Sequence, residues 1–544
     1  MLSPDPFSQY YAEFIEESYD VVDRLVLNAY FPMGQSAGGF RTWWRQLHGG
    51  DESLDTAHLM RMAGRFARRL RGWAKKNNIP VVNCAAGERK SDLAAQYLPV
   101  DPNFRGIFAV LVGRAPAPVW EVRRFGNGGI DLRRKKPLPW VNYYSFHILD
   151  EEWGHVTFKI CGHPPFTTQI LLNGHEYVAC QARKAGLEFH KEGNCFTEVS
   201  NARDLARVAD TLRSQTAIGR LRRVCERWIY SCLAFGLSLV EQEKSGFRYN
   251  YSVYQVEYSR NLLFKKGGQM EEVFNGVIDR TRTPLNLPMV KTVFGSKNRS
   301  GLPAPRSRCE VVVERPEYDL TIFKVHFGRL TSKIYTKGER VLRIEAIAHN
   351  TAELLCGKVL EKFPEMITRL AAMVERFLEV LRCTGGSWIS DGSLEELPKS
   401  SRVGKALVGG IDINQPRIRA VMSAVLALAL APQGFSASDV AAKVRLSLGT
   451  NYQPRQAAYD LKKLRGKAWV ANPRGSRRYR ATPQGLRAIA ALVTILDNVI
   501  KPLLAGVGKH GREHEANHVS VIDRHYEAIR REMQGLFDSL GIAA

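Results

Sequence analysis

The stretch Pro454-Arg-Gln-Ala-Ala-Tyr-Asp-Leu-Lys-Lys-Leu-Arg-Gly466 decides the fold of the C-terminal region. It begins with proline, which is favoured at the first position of a helix, and it ends with glycine, which is favoured at the end of one. Between them the apolar residues recur at helical spacing. The sequence therefore predicts a helix here, and the residues expected to face its core are Ala458, Leu461 and Leu464.

The segments around this helix predict two earlier helices and a later hairpin. Ser436 and Asp439 have the spacing of a capping box, with Asp in place of the usual Glu or Gln. The predicted elements are helices over 416–430, 437–446 and 454–466, and strands over 468–471 and 478–482. This order resembles a winged helix of the MarR-like bacterial kind, and the resemblance implies a DNA-binding module over 415–505.

Positive charge is concentrated in this module. Between Lys443 and Arg480 the chain has eleven Lys or Arg and one acid, Asp460. Such a surface neutralises phosphates, and a helix of this size fits the major groove of a duplex. The alternative is a winged helix used for protein contacts, whose basic face is only solvated. The residues predicted to bind nucleic acid are Arg455, Lys462, Lys463, Arg465, Lys467, Arg474, Arg477, Arg478 and Arg480.

The whole chain carries the same sign of charge. Its 544 residues include 78 Lys or Arg against 54 Asp or Glu, a formal net charge of +24. This length predicts several domains. A helix predicted from about Thr56 to Lys76 adds Arg65, Arg68 and Arg69 as candidates for nucleic-acid contacts. Several separated basic surfaces indicate a long polyanionic partner instead of one small anionic ligand.

The sequence predicts a cytoplasmic protein without a membrane partner. No apolar segment reaches the length needed to cross a bilayer, and the N-terminus lacks the pattern of a signal peptide. The nine cysteines are scattered and never form a CxxC pair, which is typical of a reducing compartment.

Upstream of the module the chain predicts an α/β region and then an α+β region. Residues 1–200 alternate strand and helix, which favours a parallel sheet, and then predict antiparallel pairs, so we expect a mixed sheet with helices. Residues 201–395 predict a central antiparallel sheet plus a helix, with an exposed loop over 284–308. Residues 396–414 are expected to be a linker, and 506–544 a C-terminal loop and helix.

Two adjacent strands near the middle of the chain are the best candidates for chemistry. The stretch 330–349 alternates as a hairpin, and period two places Lys333 on one face of its first strand and Arg343 with Glu345 on one face of its second. If the neighbouring strands join the same sheet, Glu257 and His326 lie on this surface as well. The predicted catalytic residues are Glu345, Glu257, His326, Lys333 and Arg343.

Two carboxylates and a histidine can hold Mg²⁺ or Mn²⁺ while nearby cations stabilise charge on a transferring phosphorus. Glu257, Glu345 and His326 are therefore also the predicted metal ligands. The alternative is a solvated face with cross-strand ion pairs, such as Lys333 with Glu345.

The pattern Lys-x-Tyr-x-Lys, a short gap and then Arg-x-Glu resembles a hairpin of the rolling-circle replication initiators of plasmids and phages. The resemblance implies a metal-binding carboxylate on the Arg-x-Glu strand and a tyrosine that nicks one DNA strand. The His-hydrophobic-His motif of such nickases is absent from this sequence. The candidates for the nucleophile are Tyr254, Tyr258 and Tyr335.

Four histidines lie close together in the sequence, at 147, 155, 163 and 175. Two or three of them with Cys161 could bind zinc. Their aromatic and proline neighbours favour packed structural histidines instead.

Taken together, these features predict a nucleic-acid-binding protein that docks duplex DNA through its C-terminal winged helix, with RNA as the alternative partner. We expect a mobile-element, replication or defence setting, and the chain as a whole resembles a bacterial protein. The rival hypotheses are a metal-dependent nickase or nuclease that uses the 330–349 hairpin, and a ligand-responsive transcriptional regulator. The apolar helix predicted over 486–504 could form a homodimer.

Overall fold

The computed structural model divides the chain into two compact units. Unit 1 comprises Met1–Tyr11, Glu271–Glu314 and Glu375–Ala544, and unit 2 comprises Ala12–Met270 and Arg315–Val374. The residues described are 5–85, 87–126, 129–282, 309–317, 320–385, 393–449, 451–473, 476–496, 524–525, 528–529 and 531–532. The predicted loop over 284–308, and most of 506–544, lie outside them.

Helices and strands are mixed along the chain, as the predicted α/β and α+β regions require. The strands are β1 (Ile15–Tyr30), β2 (Val81–Asn83), β3 (Gly106–Pro116), β4 (Trp120–Arg124), β5 (Ile130–Arg134), β6 (Trp140–Asp150), β7 (Gly154–Cys161), β8 (Thr168–Asn173), β9 (Phe189–Glu192), β10 (Cys195–Val199), β11 (Asn250–Phe264), β12 (Cys309–Glu317), β13 (Leu320–Phe327), β14 (Leu330–Lys337), β15 (Val341–Ala348), β16 (Ser401–Val403), β17 (Ala406–Val408), β18 (Val470–Ala471) and β19 (Arg480–Ala481).

The helices are α1 (Pro6–Tyr10), α2 (Ala37–His48), α3 (Thr56–Lys76), α4 (Lys90–Ala95), α5 (Gly174–Lys184), α6 (Ala202–Asp210), α7 (Thr216–Leu233), α8 (Leu239–Lys244), α9 (Gly267–Arg282), α10 (Phe363–Gly385), α11 (Ser393–Glu396), α12 (Pro416–Leu428), α13 (Ala437–Leu448), α14 (Pro454–Gly466) and α15 (Pro483–Ile495). Short 3-10 helices cover Met33–Gln35, Thr351–Leu354 and Leu360–Lys362. None of the helices in the described ranges is long and apolar enough to span a bilayer.

One large sheet joins strands from both of the regions predicted upstream of residue 395. Its strand order is β12-β13-β14-β15-β11-β1-β8-β7-β6-β3-β2. The long strand β1 pairs with β8 along one edge and with β11 along the other. Residues 1–200 and 201–395 therefore contribute to the same sheet, and the division expected at residue 200 does not separate two sheets. A strand has hydrogen-bonding groups on both edges, so each edge of β1 can pair with a strand that is far away in sequence.

The predicted parallel pairing is found at one place among the described strands. β2 and β3 are parallel, whereas β1 is antiparallel to both of its neighbours. The antiparallel pairs predicted within residues 1–200 are found, among others, as β4 with β5 and β6 with β7.

The core of unit 2 lies on both faces of β1. Val21 and Val22 are neighbours in sequence and point to opposite faces, yet both are fully buried, as expected of a central strand. Helix α3 has the predicted bounds because its signals are local. The Asp55 side chain accepts from the His58 N–H at its start, and Phe66 and Leu70 form part of its buried side.

The helices of the C-terminal region also follow local signals. Ser436 and Asp439 form the predicted capping box of α13, and Pro454 occupies the first turn of α14. The core side of α14 includes Ala457, Leu461 and Leu464, so Ala457 takes the buried place predicted for Ala458. Strand β18 pairs with β19 after α14.

Helix α15 uses its apolar side within the chain. Leu486, Ile489 and Ala490 are fully buried in unit 1, where α15 packs against α12. These residues therefore already have a partner, and the described part of the helix predicted over 486–504 does not present them as a dimer surface.

Candidate functional site

Four neighbouring strands place the predicted catalytic residues on one face of the sheet of unit 2. Strands β13, β14, β15 and β11 are adjacent in that order, and residues directly opposite across a ladder share a face. Glu345 lies opposite Lys333 across the β14–β15 ladder, and His326 lies opposite Thr331 across the β13–β14 ladder. Because Thr331 and Lys333 are two residues apart on β14, all of these side chains share one face. Arg343 shares the face of Glu345 because it lies two residues away along β15. Alternation along β11 places Glu257 on the same face. This gathering of side chains is the one that the alternation predicts, and their catalytic role stays a prediction.

Around Arg343 and Glu345 this face is buried, and the cross-strand ion pair of Lys333 with Glu345, expected in the alternative, is present there instead of on a fully solvated surface. Arg343 is fully buried and Glu345 is 2% exposed. Residues from the start of α5 and from the turn between β9 and β10 cover it, because His175 and Asn194 both bond to Arg343. Charged groups in such a place must be compensated by one another.

The Arg343 guanidinium is the centre of this polar cluster. Its Nε donates to Asn261 Oδ1 at 2.8 Å, and one terminal nitrogen donates to His175 Nε2 at 2.8 Å and to the Asn194 carbonyl oxygen at 2.7 Å. The other terminal nitrogen lies 3.7 Å from Asp23 Oδ2. Burial opposes the charge, but Asp23, Tyr335 and Glu345 outweigh it and raise the pKa of Arg343.

The contact with Arg343 decides the protonation of His175. A guanidinium can only donate hydrogen bonds, so His175 Nε2 must accept. The proton therefore sits on Nδ1, which lies 3.1 Å from Asp23 Oδ1 and donates to it. Burial lowers the pKa of His175, and Arg343 lowers it further while Asp23 opposes the shift. The imidazole is neutral and links the guanidinium to the carboxylate.

Asp23 is the carboxylate that completes this chain of hydrogen bonds. Its two oxygens accept from Asn194 Nδ2 at 3.1 and 3.0 Å. Burial alone would raise the pKa of Asp23, but His175 and Arg343 outweigh that effect and hold it well below its usual range. Sequence reasoning missed Asp23 and Asn194. For Asp23 the available signal was a charged residue inside the apolar run of β1. For Asn194 there was no such signal, because this residue lies in a turn.

Glu345 holds the second group of polar side chains. Its Oε2 lies 2.5 Å from Lys333 Nζ, and its Oε1 accepts from the Tyr335 hydroxyl at 2.5 Å. Burial and the charge of Glu345 raise the pKa of Tyr335, so the hydroxyl keeps its proton. Tyr254 and Tyr258 lie on the opposite face of β11, since they alternate with Glu257 along the strand. Of the three candidate nucleophiles, Tyr335 shares the face of Glu345.

Within the cluster, Glu257 is the titratable group whose pKa lies closest to pH 7. Burial, together with the charges of Asp23 and Glu345, raises the pKa of Glu257 to about 7, and Lys333 opposes the shift. Gln255 Nε2 donates to Glu257 Oε1 at 2.8 Å. A carboxyl group that is half protonated near pH 7 can serve as a general acid or base.

The predicted metal ligands do not come together as a metal site. His326 Nδ1 lies 2.9 Å from Thr331 Oγ1, which in turn lies 3.1 Å from His349 Nε2. Glu345 is already held by Lys333 and Tyr335. Among the described residues no three His, Cys, Asp or Glu side chains are arranged so that they could hold a metal ion. The donor set of Glu257, Glu345 and His326 therefore does not fit Mg²⁺ or Mn²⁺, and we derive no step through a metal.

The group of four histidines is divided between different places in unit 2. His147 Nδ1 and His155 Nε2 are 3.0 Å apart, and burial lowers the pKa of His147 to about 3. His163 Nδ1 contacts the Pro164 carbonyl oxygen, and His175 belongs to the Arg343 cluster. Cys161 is six residues from His155 along β7, a separation of about 20 Å on an extended strand. Cys161 therefore does not form one site with His147 and His155, and no group of three zinc ligands is found among the residues that the structure describes.

The second candidate site is the outer side of α14 in unit 1. Arg455 and Arg465 are exposed, and Lys462 is half-buried. At 100° per residue Arg455 and Lys462 lie on the side of the helix away from its buried residues, and Arg465 lies on its flank. Lys463 is turned towards the Tyr459 ring, with Nζ 5.3 Å from the ring centre.

The one acid of this helix is removed from its surface. Asp460 is 1% exposed and lies 3.2 Å from the Arg417 Nε. It also accepts from the Tyr452 hydroxyl at 2.7 Å. The outer side of α14 therefore carries positive charge without a nearby carboxylate of its own.

Several other residues predicted to bind nucleic acid are engaged by backbone carbonyls. Arg478 donates to Gly434 at 2.9 Å, Arg480 to Pro432 at 3.4 Å, and Lys467 to Lys399 at 2.9 Å. Arg477 is exposed. Arg474 lies outside the described residues.

The basic helix α3 in unit 2 also carries one engaged and two exposed side chains among the predicted contacts. Arg65 pairs with Glu241 at 2.8 Å and donates to the Gly236 carbonyl oxygen at 2.6 Å, so it fixes α3 to its neighbours. Arg68 and Arg69 are exposed. They are the two predicted contacts on this helix that face solvent.

The chain thus has a buried polar cluster around Arg343 and Glu345 and a basic surface on α14. Compared with protein-family models, with curated proteins and with solved structures, the chain matches none of them.

Proposed function

We propose that this protein binds duplex DNA through its C-terminal region, with α14 as the helix that enters the major groove. The observation that carries the proposal is the charge arrangement of α14. Arg455 and Lys462 lie on the side away from its buried residues and Arg465 on its flank, while Asp460 is buried and paired with Arg417. A helix of this kind can place cations against phosphates without repulsion from its own carboxylate.

The order of elements supports the same proposal. Helices α12, α13 and α14 precede the β18–β19 pair, and α15 follows it. This is the order of a winged helix, in which the third helix reads the groove and the hairpin adds backbone contacts. The exposed Arg477 stands between the two strands, where such a hairpin would meet phosphates.

The wider setting is part of the proposal. The net charge of +24 suits a polyanionic partner longer than one helix can cover. The eight cysteines whose side chains the structure describes are free thiols, which supports a cytoplasmic location. A mobile-element, replication or defence role would account for the large additional unit better than simple repression does. RNA is the alternative partner.

Fluorescence anisotropy with a labelled duplex at several salt concentrations tests the proposal. Each phosphate contact contributes about 0.9 to the slope of log affinity against log salt. The variant Arg455→Ala/Lys462→Ala/Arg465→Ala should therefore lose up to about 2.7 of that slope. If the variant and the unaltered protein bind equally at 1 M salt, this loss of slope makes the variant bind up to about 500-fold more weakly at 0.1 M salt.

A charge-matched control separates local contacts from overall attraction. Arg203→Ala/Arg222→Ala/Arg223→Ala removes three exposed positive charges from unit 2. This variant should keep nearly the full slope. Equal loss of slope in both variants would mean that α14 does not lie on the DNA. Labelled RNA of the same length, run in parallel, distinguishes the alternative partner.

A second function, cleavage of a DNA strand, is favoured by one observation. Glu257 titrates near neutrality beside the Glu345–Lys333 pair, and Tyr335 already donates to Glu345. In this proposal the face opens to admit the DNA strand, and the Tyr335 oxygen attacks phosphorus as Glu345 accepts its proton. The bond from phosphorus to one deoxyribose oxygen breaks, and Glu257, when protonated, gives its proton to that leaving oxygen. Lys333 stabilises the developing charge on phosphorus.

A denaturing gel with end-labelled single- and double-stranded DNA, with and without added Mg²⁺ or Mn²⁺, tests this second function. Glu345→Gln should abolish cutting while duplex binding stays nearly intact. Arg340→Ala, a change in the turn next to β15, should leave cutting unchanged. An intact probe in every lane, shifted on a native gel, would leave the binding function alone.

A further inference from the structure

The segment predicted to be a linker, residues 396–414, contains a closed hairpin in unit 1. Strands β16 and β17 pair from Ser401 with Val408 to Val403 with Ala406. The base of the hairpin is closed by the Ile411 N–H, which donates to the Leu397 carbonyl oxygen at 2.7 Å. A Cβ on Gly410 would lie 2.0 Å from the Pro398 carbonyl oxygen, so this close approach requires glycine.

The hairpin is fixed to the side of α14. Lys467, just after the helix, donates to the carbonyl oxygens of Glu396 and Lys399. A Cβ on Gly466 would lie 2.7 Å from Ser401 Cβ, so the last residue of the helix allows the first strand to pack directly on it. These contacts join the hairpin and the helix as one body.

One face of the hairpin is left to solvent and is basic. Arg402 and Leu407 are direct cross-strand partners, so they share a face, and both are exposed. Lys405 is exposed in the turn. The stretch from Ser400 to Gly410 contains no acidic residue. The hairpin therefore adds two positive charges beside the basic side of α14 and no negative charge.

We propose that the β16–β17 hairpin is a second DNA-contacting element, which grips backbone phosphates next to the groove that α14 enters. The inference rests on the proposed DNA-binding function and extends its contact surface. The contacts of Gly466 and Lys467 place the hairpin at the C-terminal end of α14. Its exposed Arg402 and Lys405 can there meet the phosphates that border a helix in the groove.

Phosphate contacts of this kind fix the register of the protein on the duplex and carry no sequence information. The hairpin should therefore raise affinity equally for different sequences and lengthen the protected stretch of DNA. The duplex partner is recognised here through its phosphates.

The test is salt-dependent binding and hydroxyl-radical footprinting of the full chain, with Arg402→Ala/Lys405→Ala compared with the unaltered protein. We expect the salt slope to fall by up to about 1.8, which weakens binding at 0.1 M salt by up to about 60-fold. Protection should be lost at the phosphates that flank the α14 footprint and kept at its centre. Circular dichroism should be unchanged, because both side chains are exposed.

Two control variants match this change. Leu407→Ala alters the same exposed face without altering its charge, and Arg203→Ala/Arg222→Ala removes two charges from unit 2. Both should bind as the unaltered protein does. An unchanged slope and footprint in the Arg402→Ala/Lys405→Ala variant would overturn the inference while the proposed function stands.

Tighter binding by that variant would also overturn the inference, since the hairpin would then shield α14 from DNA. Failure of the unaltered protein to bind any duplex would overturn the proposed function first and this inference with it.

Discussion

Removal of the Arg343 side chain should cost the protein a large part of its stability. Arg343 is fully buried and donates three hydrogen bonds, to Asn261, His175 and the Asn194 carbonyl oxygen. Hydrogen bonds from a charged donor contribute about 1.5–3 kcal/mol each, and loss of one partner of a buried ion pair costs about 3–5 kcal/mol. These contributions overlap, because they describe the same contacts. We therefore expect Arg343→Met to lower the free energy of unfolding by about 3–5 kcal/mol.

The loss of stability is large because the buried groups that Arg343 compensates remain in place without it. Without the guanidinium, Asp23 and Glu345 keep negative charges in a buried place, and three acceptors lose their donor. Arg343→Lys keeps the charge but cannot reproduce the spread of donors, so its cost should fall between those of the unaltered protein and Arg343→Met. Both variants keep the apolar length of the side chain, so the difference between them reports on charge.

Urea unfolding followed by tryptophan fluorescence measures this cost. Trp43, Trp44 and Trp153 are fully buried in the same unit as Arg343 and report on its unfolding. With a slope of about 3 kcal/mol per molar urea, the midpoint should fall by about 1–2 M. The matched control is Arg340→Ala, which removes a partly exposed ion pair with Glu16 and should cost under about 1 kcal/mol.

The reasoning would be refuted if Arg343→Met unfolded at nearly the same urea concentration as Arg340→Ala. That result would mean that water replaces the guanidinium among the acceptors, and that the face between β11, β14 and β15 is not closed to solvent in solution.

Two further predictions concern pH and a helix cap. Glu257 has a pKa of about 7 in the folded chain against a model-compound value of 4.5, so the folded state holds its proton between these values after the unfolded state has released it. Its contribution to stability is therefore complete below about pH 4.5 and is lost as pH rises through about 7, a change of about 3 kcal/mol. Urea unfolding at pH 5 and pH 7.5 should show this loss in the unaltered protein and not in Glu257→Gln; parallel pH profiles would contradict it. Ser436→Ala should cost about 1 kcal/mol through loss of the α13 cap, seen as a lower thermal midpoint, whereas Ser438→Ala, exposed within the same helix, should change little. Equal midpoints for the two serine variants would show that the cap does not limit the stability of this region.

Local signals in the sequence located the helices well. The bounds of α3 and α14 are those predicted, since a capping aspartate, a first-turn proline and the spacing of apolar residues all act within a few residues. The same holds for the capping box at Ser436. Sequence reasoning erred by one position on the buried side of α14, where Ala457 lies in the core in place of Ala458.

Long-range pairings were not predictable in this way. His175 and Asp23 are separated by 152 residues, and Arg343 and His175 by 168. Alternation along β15 shows that Arg343 and Glu345 share a face, but alternation cannot show whether that face meets water or another layer of the protein. The histidines grouped in the sequence consequently belong to different places in the structure.

The amino-acid sequence by itself determined the basic character of the protein, the helices and capping box of the C-terminal region, and the shared face of Lys333, Arg343 and Glu345. These features depend on composition and on contacts within a few residues. The tertiary structure alone decided that β1 joins β8 and β11, that Asp23, His175 and Arg343 meet, and that the 396–414 segment folds back onto α14. The physical reason is that strand edges and buried charges are satisfied by whichever partner the fold brings near, and sequence separation does not limit that choice.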